Sequence, residues 1–150
     1  MEIRRLLRYR LSTVLVLMIP LGILFFWLGV FLDRRPIEWT VYSPAAMNEG
    51  SRDHDAVLLF FTADWDATAA FIEKTSLNHW RVRHMIRSND VATIKVDLTD
   101  FRSPNNEILK SLGRSMTPTV AIYSSRWPEP LILDGLISEY DLMNAISDAH

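Results

Sequence analysis

The sequence predicts an α/β fold, with a mixed central sheet flanked by helices, preceded by one N-terminal transmembrane helix. Three observations predict this class. The run from Ala56 to Phe61 is continuously apolar, which is typical of a strand buried on both faces of a sheet. Strand and helix patterns alternate after it, and two strands joined by a turn lie near the C-terminus. Near the N-terminus, residues 11–32 contain no charged side chain.

The uncharged segment, residues 11–32, is long enough to cross a membrane. Its 22 residues would form a helix about 33 Å long, against a hydrocarbon core of about 30 Å. It has no polar face, and Pro20 is expected to kink the helix without ending it. A cleaved signal peptide has a shorter apolar stretch that ends in a small-residue cleavage site. We therefore expect an uncleaved signal anchor.

The flanking arginines predict the orientation of this segment. Four arginines precede it and two follow it, namely Arg4, Arg5, Arg8 and Arg10, then Arg34 and Arg35. The excess of positive charge keeps the basic N-terminus, residues 1–10, in the cytoplasm. After a linker at residues 33–36, we expect a domain over residues 37–150 on the extracytoplasmic or periplasmic side of the cytoplasmic membrane.

Charge and composition exclude several function classes. Residues 36–150 contain ten Lys and Arg and sixteen Asp and Glu, a net charge of −6. Binding to nucleic acid needs clustered positive charge, so we expect none. The glycine patterns that cradle nucleotide phosphates and the G-x-S-x-G pattern of hydrolases are also missing. The sequence contains no cysteine, which excludes disulfides, thiol nucleophiles and cysteine metal sites.

The first half of the domain is predicted to run from a strand through several helices. Ile37 to Tyr42 is a weak strand candidate, and the turn-rich stretch after it holds a short helix near Ala45 to Asn48. After the buried strand, helical spacing covers Ala67 to Ser76 and His79 to Arg87. The side chains expected to face the core are Ala70, Phe71, Leu77, Trp80, Val82 and Ile86.

The second half is predicted to be strand, helix, hairpin and helix. Ala92 to Asp97 has the composition of a strand, and Asn106 to Leu112 that of a helix ended by Gly113. Thr119 to Tyr123 and Leu131 to Asp134 read as strands across a turn that contains two prolines. The amphipathic pattern of Tyr140 to Ala149 predicts the last helix.

Acidic residues at the two ends of the buried strand do not make a metal site. Asp53-His54-Asp55 enters the strand and Asp64-Trp65-Asp66 leaves it. An extended strand separates Asp55 from Asp64 by about 30 Å, so the two clusters cannot share one ion. We therefore expect no metal and no cofactor.

The stretch from Phe60 to Ala69 reads FFTADWDATA. It resembles the active-site region of thioredoxin-fold proteins, most closely that of the C-terminal domain of the thiol:disulfide interchange protein DsbD and its relatives. In that family a buried strand leads into A-D-W-C-x-x-C at the start of a helix. Thr117-Pro118-Thr119 follows in the expected order. The resemblance spans roughly Ile37 to His150 and implies a thioredoxin-like fold.

This chain departs from the family at its three chemical positions. Asp66 and Ala69 occupy the two cysteine positions, and Phe60 stands where the family has a buried aspartate that assists proton transfer. A carboxylate cannot exchange with a disulfide, so we expect no thiol-disulfide oxidoreductase activity. Because Asp is a preferred N-cap residue, we expect Asp66 to cap the helix that follows it.

The resemblance also implies a peptide-binding groove. In the family, the residue before a cis-proline offers its backbone to an extended peptide, a form of strand addition. Thr117 and Pro118 fill those places, and Trp65 would supply an aromatic wall. We expect a membrane-anchored, redox-inactive domain that binds an extended segment of an unidentified protein partner or scaffolds a membrane complex. The alternatives are an enzyme that uses Asp64 and Asp66 as paired acids, and an accessory protein of a thiol-disulfide pathway.

Overall fold

A computed structural model describes residues 18–29 and 35–150, and the chain divides between Arg35 and Pro36 into two units. In the first unit, residues 18–29 form a helix, α1, whose large apolar side chains are exposed. The predicted basic N-terminus lies outside the described residues, as do the two ends of the predicted membrane segment and the start of the linker. Within the described ranges, no helix is both long and apolar enough to cross a membrane.

The second unit contains a five-stranded mixed sheet with the order β1-β3-β2-β4-β5. The strands are β1 (Thr40–Val41), β2 (Ala56–Thr62), β3 (Val91–Asp97), β4 (Thr119–Ser124) and β5 (Leu131–Asp134). β1, β3 and β2 are parallel, whereas β4 runs antiparallel to β2 and β5 antiparallel to β4. The predicted α/β class, with its mixed sheet and late hairpin, is confirmed.

Helices cover both faces of this sheet. They are α2 (Pro44–Asp53), α3 (Ala67–Ile72), α4 (Trp80–Ser88), α5 (Asn105–Ser111) and α6 (Glu139–Ala149), and a π-helical turn, Glu73–Leu77, continues α3. The predicted helix Ala45 to Asn48 is too short. Its true start is fixed by Ser43, whose hydroxyl accepts a hydrogen bond from the Ala46 N–H at 3.0 Å, and by Pro44 in the first turn.

The core consists of two apolar layers separated by the sheet. Successive side chains of β2 point to opposite faces. Leu58 and Phe60 lie in the layer covered by α3, α4 and α6, while Val57, Leu59 and Phe61 lie in the layer with α2 and α5. Each of these five side chains is almost fully buried. The prediction of a strand buried on both faces is confirmed.

The prediction of a core position is wrong for three side chains. Ala70, Phe71 and Trp80 are exposed, Phe71 and Trp80 to 58% and 53%. In α3 the inward face belongs instead to Ala69 and Ile72, which are three positions apart and therefore lie on one side of a helix.

The π-helical turn explains why the predicted helical spacing fails beyond α3. The N–H of Asn78 donates to the carbonyl oxygen of Glu73 at 3.0 Å, five residues back, which adds one residue to the turn. The added residue changes the phase of the helix, so that Ser76 and Leu77 become buried. Trp80 then starts a new helix whose inward side chains are Val82 and Ile86.

The first strand is shorter than predicted. Only Thr40 and Val41 pair with β3, opposite Ile94 and Lys95. The N–H of Ile37 donates instead to a side-chain oxygen of Asn78 at 3.0 Å, which takes it out of the ladder.

Candidate functional site

One end of the sheet gathers the segments that the sequence singled out. In the strand register, Thr62 lies opposite Asp97 and Phe61 opposite Thr119, while Thr119 also lies opposite Asp134. The chain therefore leaves β2, β3 and β5, and enters β4, at the same edge. We call this region the site edge; it comprises residues 63–66, 98–101, 116–118 and 135–137.

Asp66 caps α3 at the site edge. Its Oδ1 accepts hydrogen bonds from the backbone N–H groups of Thr68 at 2.9 Å and Ala69 at 3.0 Å. The side chain is only 9% exposed. Its second oxygen, Oδ2, is buried and has no hydrogen-bond partner among the described residues. The predicted N-cap is confirmed, and one carboxylate oxygen is left over.

The Thr117–Pro118 peptide bond is cis, as the resemblance implied. Pro118 is buried and Thr117 is half-buried. The Thr117 hydroxyl oxygen is buried, and nothing in the described part of the chain forms a hydrogen bond with it. Two polar atoms without partners, one on Asp66 and one on Thr117, therefore lie in segments that leave the same edge.

Polar contacts hold the proline segment against β5. The Thr119 hydroxyl oxygen lies 2.8 Å from the Met116 carbonyl oxygen and 3.0 Å from Asp134 Oδ1. The other carboxylate oxygen of Asp134 accepts from Arg114 Nε at 2.5 Å. The Gly135 N–H donates to the Pro118 carbonyl oxygen at 3.3 Å. Gly135 has a φ of +71°, a left-handed conformation that glycine adopts without steric cost.

Trp65 stacks on Phe101 across two loops. The ring centroids are 5.5 Å apart and the ring planes are 19° from parallel. Both side chains are exposed, Trp65 to 56% and Phe101 to 77%. Phe101 lies far from Trp65 along the chain, and no motif around Trp65 indicates it. A large aromatic residue in a polar turn directly after a strand was the available signal.

Thr99 joins these two loops. Its hydroxyl oxygen accepts from the Asp64 N–H at 2.9 Å, while the hydroxyl and the N–H of Thr99 both donate to Asp97 Oδ1, at 2.5 and 2.8 Å. These two hydrogen bonds lower the pKa of the Asp97 carboxyl below its usual value, the one from the hydroxyl contributing most. The loop after β2 is thus tied to the loop after β3, which places Trp65 beside Phe101.

Phe60, which the sequence resemblance matches to the family's buried aspartate, belongs to an aromatic cluster. Its side chain is fully buried, and its ring lies 5.6 Å from that of Trp39. Lys95, opposite Phe60 in the strand register, lies over the Trp39 ring at 5.7 Å and forms an ion pair with Glu73 at 2.6 Å. The one ionisable group adjacent to Phe60 in this register, the Lys95 ammonium, is therefore paired elsewhere.

The acidic residues around β2 do not form one shared site. After the strand, Asp64 is exposed whereas Asp66 is buried. At the opposite end of β2, His54 Nδ1 lies 2.9 Å from Asp90 Oδ1. Across residues 18–29 and 35–150, no group of three or more histidine, cysteine, aspartate or glutamate side chains could hold a metal ion.

Comparison with solved structures finds thioredoxin-like proteins. The C-terminal domain of Neisseria meningitidis DsbD in its reduced form aligns with a TM-score of 0.59 at 18% identity, covering 74% of this chain and 100% of that domain. A mutant thioredoxin from Halobacterium salinarum aligns with a TM-score of 0.56 at 22% identity, over 74% of this chain and 88% of the other. DsbH oxidoreductase aligns with a TM-score of 0.59 at 16% identity, over 79% and 87%.

No protein-family model matches the sequence, and no curated protein matches it either. At these identities, the structural likeness establishes the fold. Asp66 and Ala69 lie at the start of α3, directly after the strand and loop that carry A-D-W. The chain therefore has the thioredoxin-like fold, and it has this fold without a cysteine at any position.

Proposed function

We propose that this chain is a membrane-anchored, redox-inactive thioredoxin-like protein that binds an extended segment of a partner protein at the site edge. The observation that carries the proposal is that the half-buried Thr117, just before β4, lies at the same sheet edge as the exposed ring of Trp65, just after β2. This placement supports peptide binding in a chain that has no cysteine.

Strand addition supplies the physical basis for binding. The ladder between β2 and β4 ends at the pair Phe61 and Thr119, so Thr117 lies beyond it. An extended segment that runs alongside Thr117 can form backbone hydrogen bonds there. The exposed face of Trp65 offers apolar area for a side chain of that segment.

Photocrosslinking in the full-length chain tests the groove. A photoreactive phenylalanine derivative is placed at Trp65, at Thr117 or, as a control, at Asp53, which is exposed at the opposite end of β2. We expect partner adducts from the first two positions and none from Asp53. Adducts from Asp53 alone would contradict the proposal.

The membrane anchor is the part of the proposal that depends on residues 11–32. Their uncharged composition and sufficient length support it. Membrane fractionation of the full chain is compared with that of a variant carrying arginine at Ile23 and Leu24, since a charged side chain in the bilayer centre costs about 3 kcal/mol. We expect the first to sediment with membranes and to resist carbonate extraction, and the second to do neither.

The paired-acid enzyme is the weaker alternative, because Asp66 Oδ1 is engaged by two N–H donors of α3. A saturable activity that Asp66→Asn abolishes in a folded protein would favour that alternative.

A scaffold role would instead appear as an interaction that needs residues 1–35 and is insensitive to changes at Trp65. A role as an accessory protein of a thiol-disulfide pathway would appear as a crosslinked partner that itself carries reactive thiols.

A further inference from the structure

The site edge carries an excess of negative charge. It contains three carboxylates, Asp64, Asp66 and Asp100, and no lysine or arginine. Asp97 and Arg102 lie directly before and after its second segment. The lowered pKa of Asp97 keeps that carboxyl ionised throughout the neutral range. The whole domain is acidic as well, so its field attracts cationic partners to this edge.

Exposed apolar side chains lie among these charges. The stacked rings of Trp65 and Phe101 are flanked in sequence by Asp64, Asp66 and Asp100. Met116, directly before the cis-proline dipeptide, is exposed as well. An aromatic face beside carboxylates suits a lysine or arginine side chain, which gains a cation–π contact and an ion pair together.

Asp66 Oδ2 points independently to a ligand. A buried acceptor without a donor destabilises the folded chain, and the cap uses only Oδ1. A donor supplied by an incoming segment, whether a backbone N–H, a hydroxyl or an ammonium group, would satisfy it. The Thr117 hydroxyl, also buried and unpaired within the described residues, can act as donor or acceptor in the same contact.

We propose that the site edge selects an extended segment in which a lysine or arginine stands next to an apolar residue. The cationic side chain lies over the stacked rings of Trp65 and Phe101, among the carboxylates. The apolar neighbour lies against Met116, and a donor of the segment reaches Asp66 Oδ2. This inference rests on the proposed function and adds the chemistry of the bound segment.

Peptide titration of the full-length chain tests the selectivity. The probes are short synthetic peptides of alternating leucine and lysine, with matched peptides in which glutamate or serine replaces lysine, measured by calorimetry. We expect the lysine peptide to bind at least about tenfold more tightly than the glutamate peptide, and its affinity to fall as salt screens the charges. Equal binding of the two, or no binding of the lysine peptide, would overturn the inference.

Charge-removing variants localise the effect. Asp64→Asn and Asp100→Asn keep the size of the side chain, and each should weaken binding of the lysine peptide by about threefold, as expected for an exposed ion pair. Glu107→Gln, at an exposed position on α5, is the matched control and should leave the affinity unchanged. An equal loss in the control would show a general field effect and contradict a site at this edge.

The outcomes separate this inference from the proposed function. If crosslinks at Trp65 capture a partner but lysine and glutamate peptides bind alike, the selectivity is wrong and the groove stands. If the crosslinked segment proves to be acidic, the proposed selectivity is likewise wrong and the groove stands. If neither crosslinks nor peptides show binding at the site edge, both proposals fail.

Discussion

The N–H of Ala69 donates a hydrogen bond to Asp66 Oδ1 at 3.0 Å, which directly joins the two residues that the sequence resemblance matches to the family's cysteines. The contact is an N-cap. The Asp66 side chain thus stabilises the start of α3, and Ala69 is small and fully buried.

Two substitutions of Asp66 distinguish the stability contribution of its capping oxygen from that of its unpaired oxygen. Asp66→Ala should lower the free energy of unfolding by about 1 kcal/mol, because the cap is lost. Asp66→Ser keeps one capping oxygen and removes the unpaired one, so its stability should stay close to that of the wild type. Urea unfolding of both variants checks this. A serine variant as unstable as the alanine variant would contradict the capping role.

Cysteines placed at positions 66 and 69 should form a disulfide. In the double variant Asp66→Cys/Ala69→Cys, the two Cα atoms would be about 5 Å apart at a helix start, within the range for a disulfide. We expect quantitative oxidation, with no free thiol detected by a thiol reagent, and full reduction by dithiothreitol. The single variants are the control, since each has one cysteine and cannot form an intramolecular bridge. Persistent free thiols in the oxidised double variant would show that positions 66 and 69 are not held at disulfide distance.

The Thr99 hydroxyl should contribute to stability in a pH-dependent way. Thr99→Val removes its bonds to the Asp64 N–H and to Asp97, at a cost of about 1–2 kcal/mol at neutral pH. The pKa of Asp97 is lowered in the folded chain, so the stabilisation is present above the ordinary carboxyl pKa of about 3.9 and is lost as the pH falls through the lower folded value. Urea unfolding at neutral pH and near about pH 3 should show the penalty shrinking.

Thr93→Val is the matched control for this pH dependence. The Thr93 hydroxyl donates to the Glu38 carbonyl oxygen at 2.7 Å, and that contact involves no carboxylate. Its penalty should therefore be the same at both pH values. A Thr99→Val penalty that is likewise independent of pH would show that Asp97 is not the group involved.

A carboxylate at position 60 should be poorly tolerated. Phe60→Asp would place a charge against Trp39 in a fully buried layer, and we expect a loss of at least about 3 kcal/mol. Phe60→Leu keeps the site apolar and should cost about 1 kcal/mol. Thermal unfolding compares the two variants. Equal stability would mean that the Lys95 ammonium leaves Glu73 to pair with the new acid.

The phase of α3 has a direct energetic consequence. Ile72→Ala should cost about 2–5 kcal/mol because it leaves a cavity in the core. Phe71→Ala, next to it in sequence, should cost less than about 1 kcal/mol because the ring is mostly exposed. Urea unfolding measures both. A larger loss at Phe71 would restore the inward position that the sequence pattern predicts.

Local features of the sequence were enough to predict the frame of the fold. The apolar run of β2 needs burial on both faces, Asp66 fits the start of a helix, and Gly113 ends one with a φ of +71°. Each of these depends on a residue and its immediate neighbours. The absence of cysteine is equally local, and it excludes thiol chemistry whatever the tertiary structure.

Only the tertiary structure decided which apolar side chains are buried and which loops lie side by side. Phe71 is apolar yet exposed, because the inward face of α3 belongs to Ala69 and Ile72. Trp80 is exposed as well, because it starts a new helix after the π-helical turn. Phe101 reaches Trp65 only because the parallel pairing of β2 with β3 brings the two loops to one edge.

The ion pair between Lys95 and Glu73 also depends on the tertiary structure, because the two residues lie on different elements, β3 and the π-helical turn. By itself, the sequence determined which side chains this protein has and that thiol chemistry is excluded. The folded chain decided which of them meet, because contacts between distant segments depend on strand register and helix phase, and neither is encoded in any single stretch of residues.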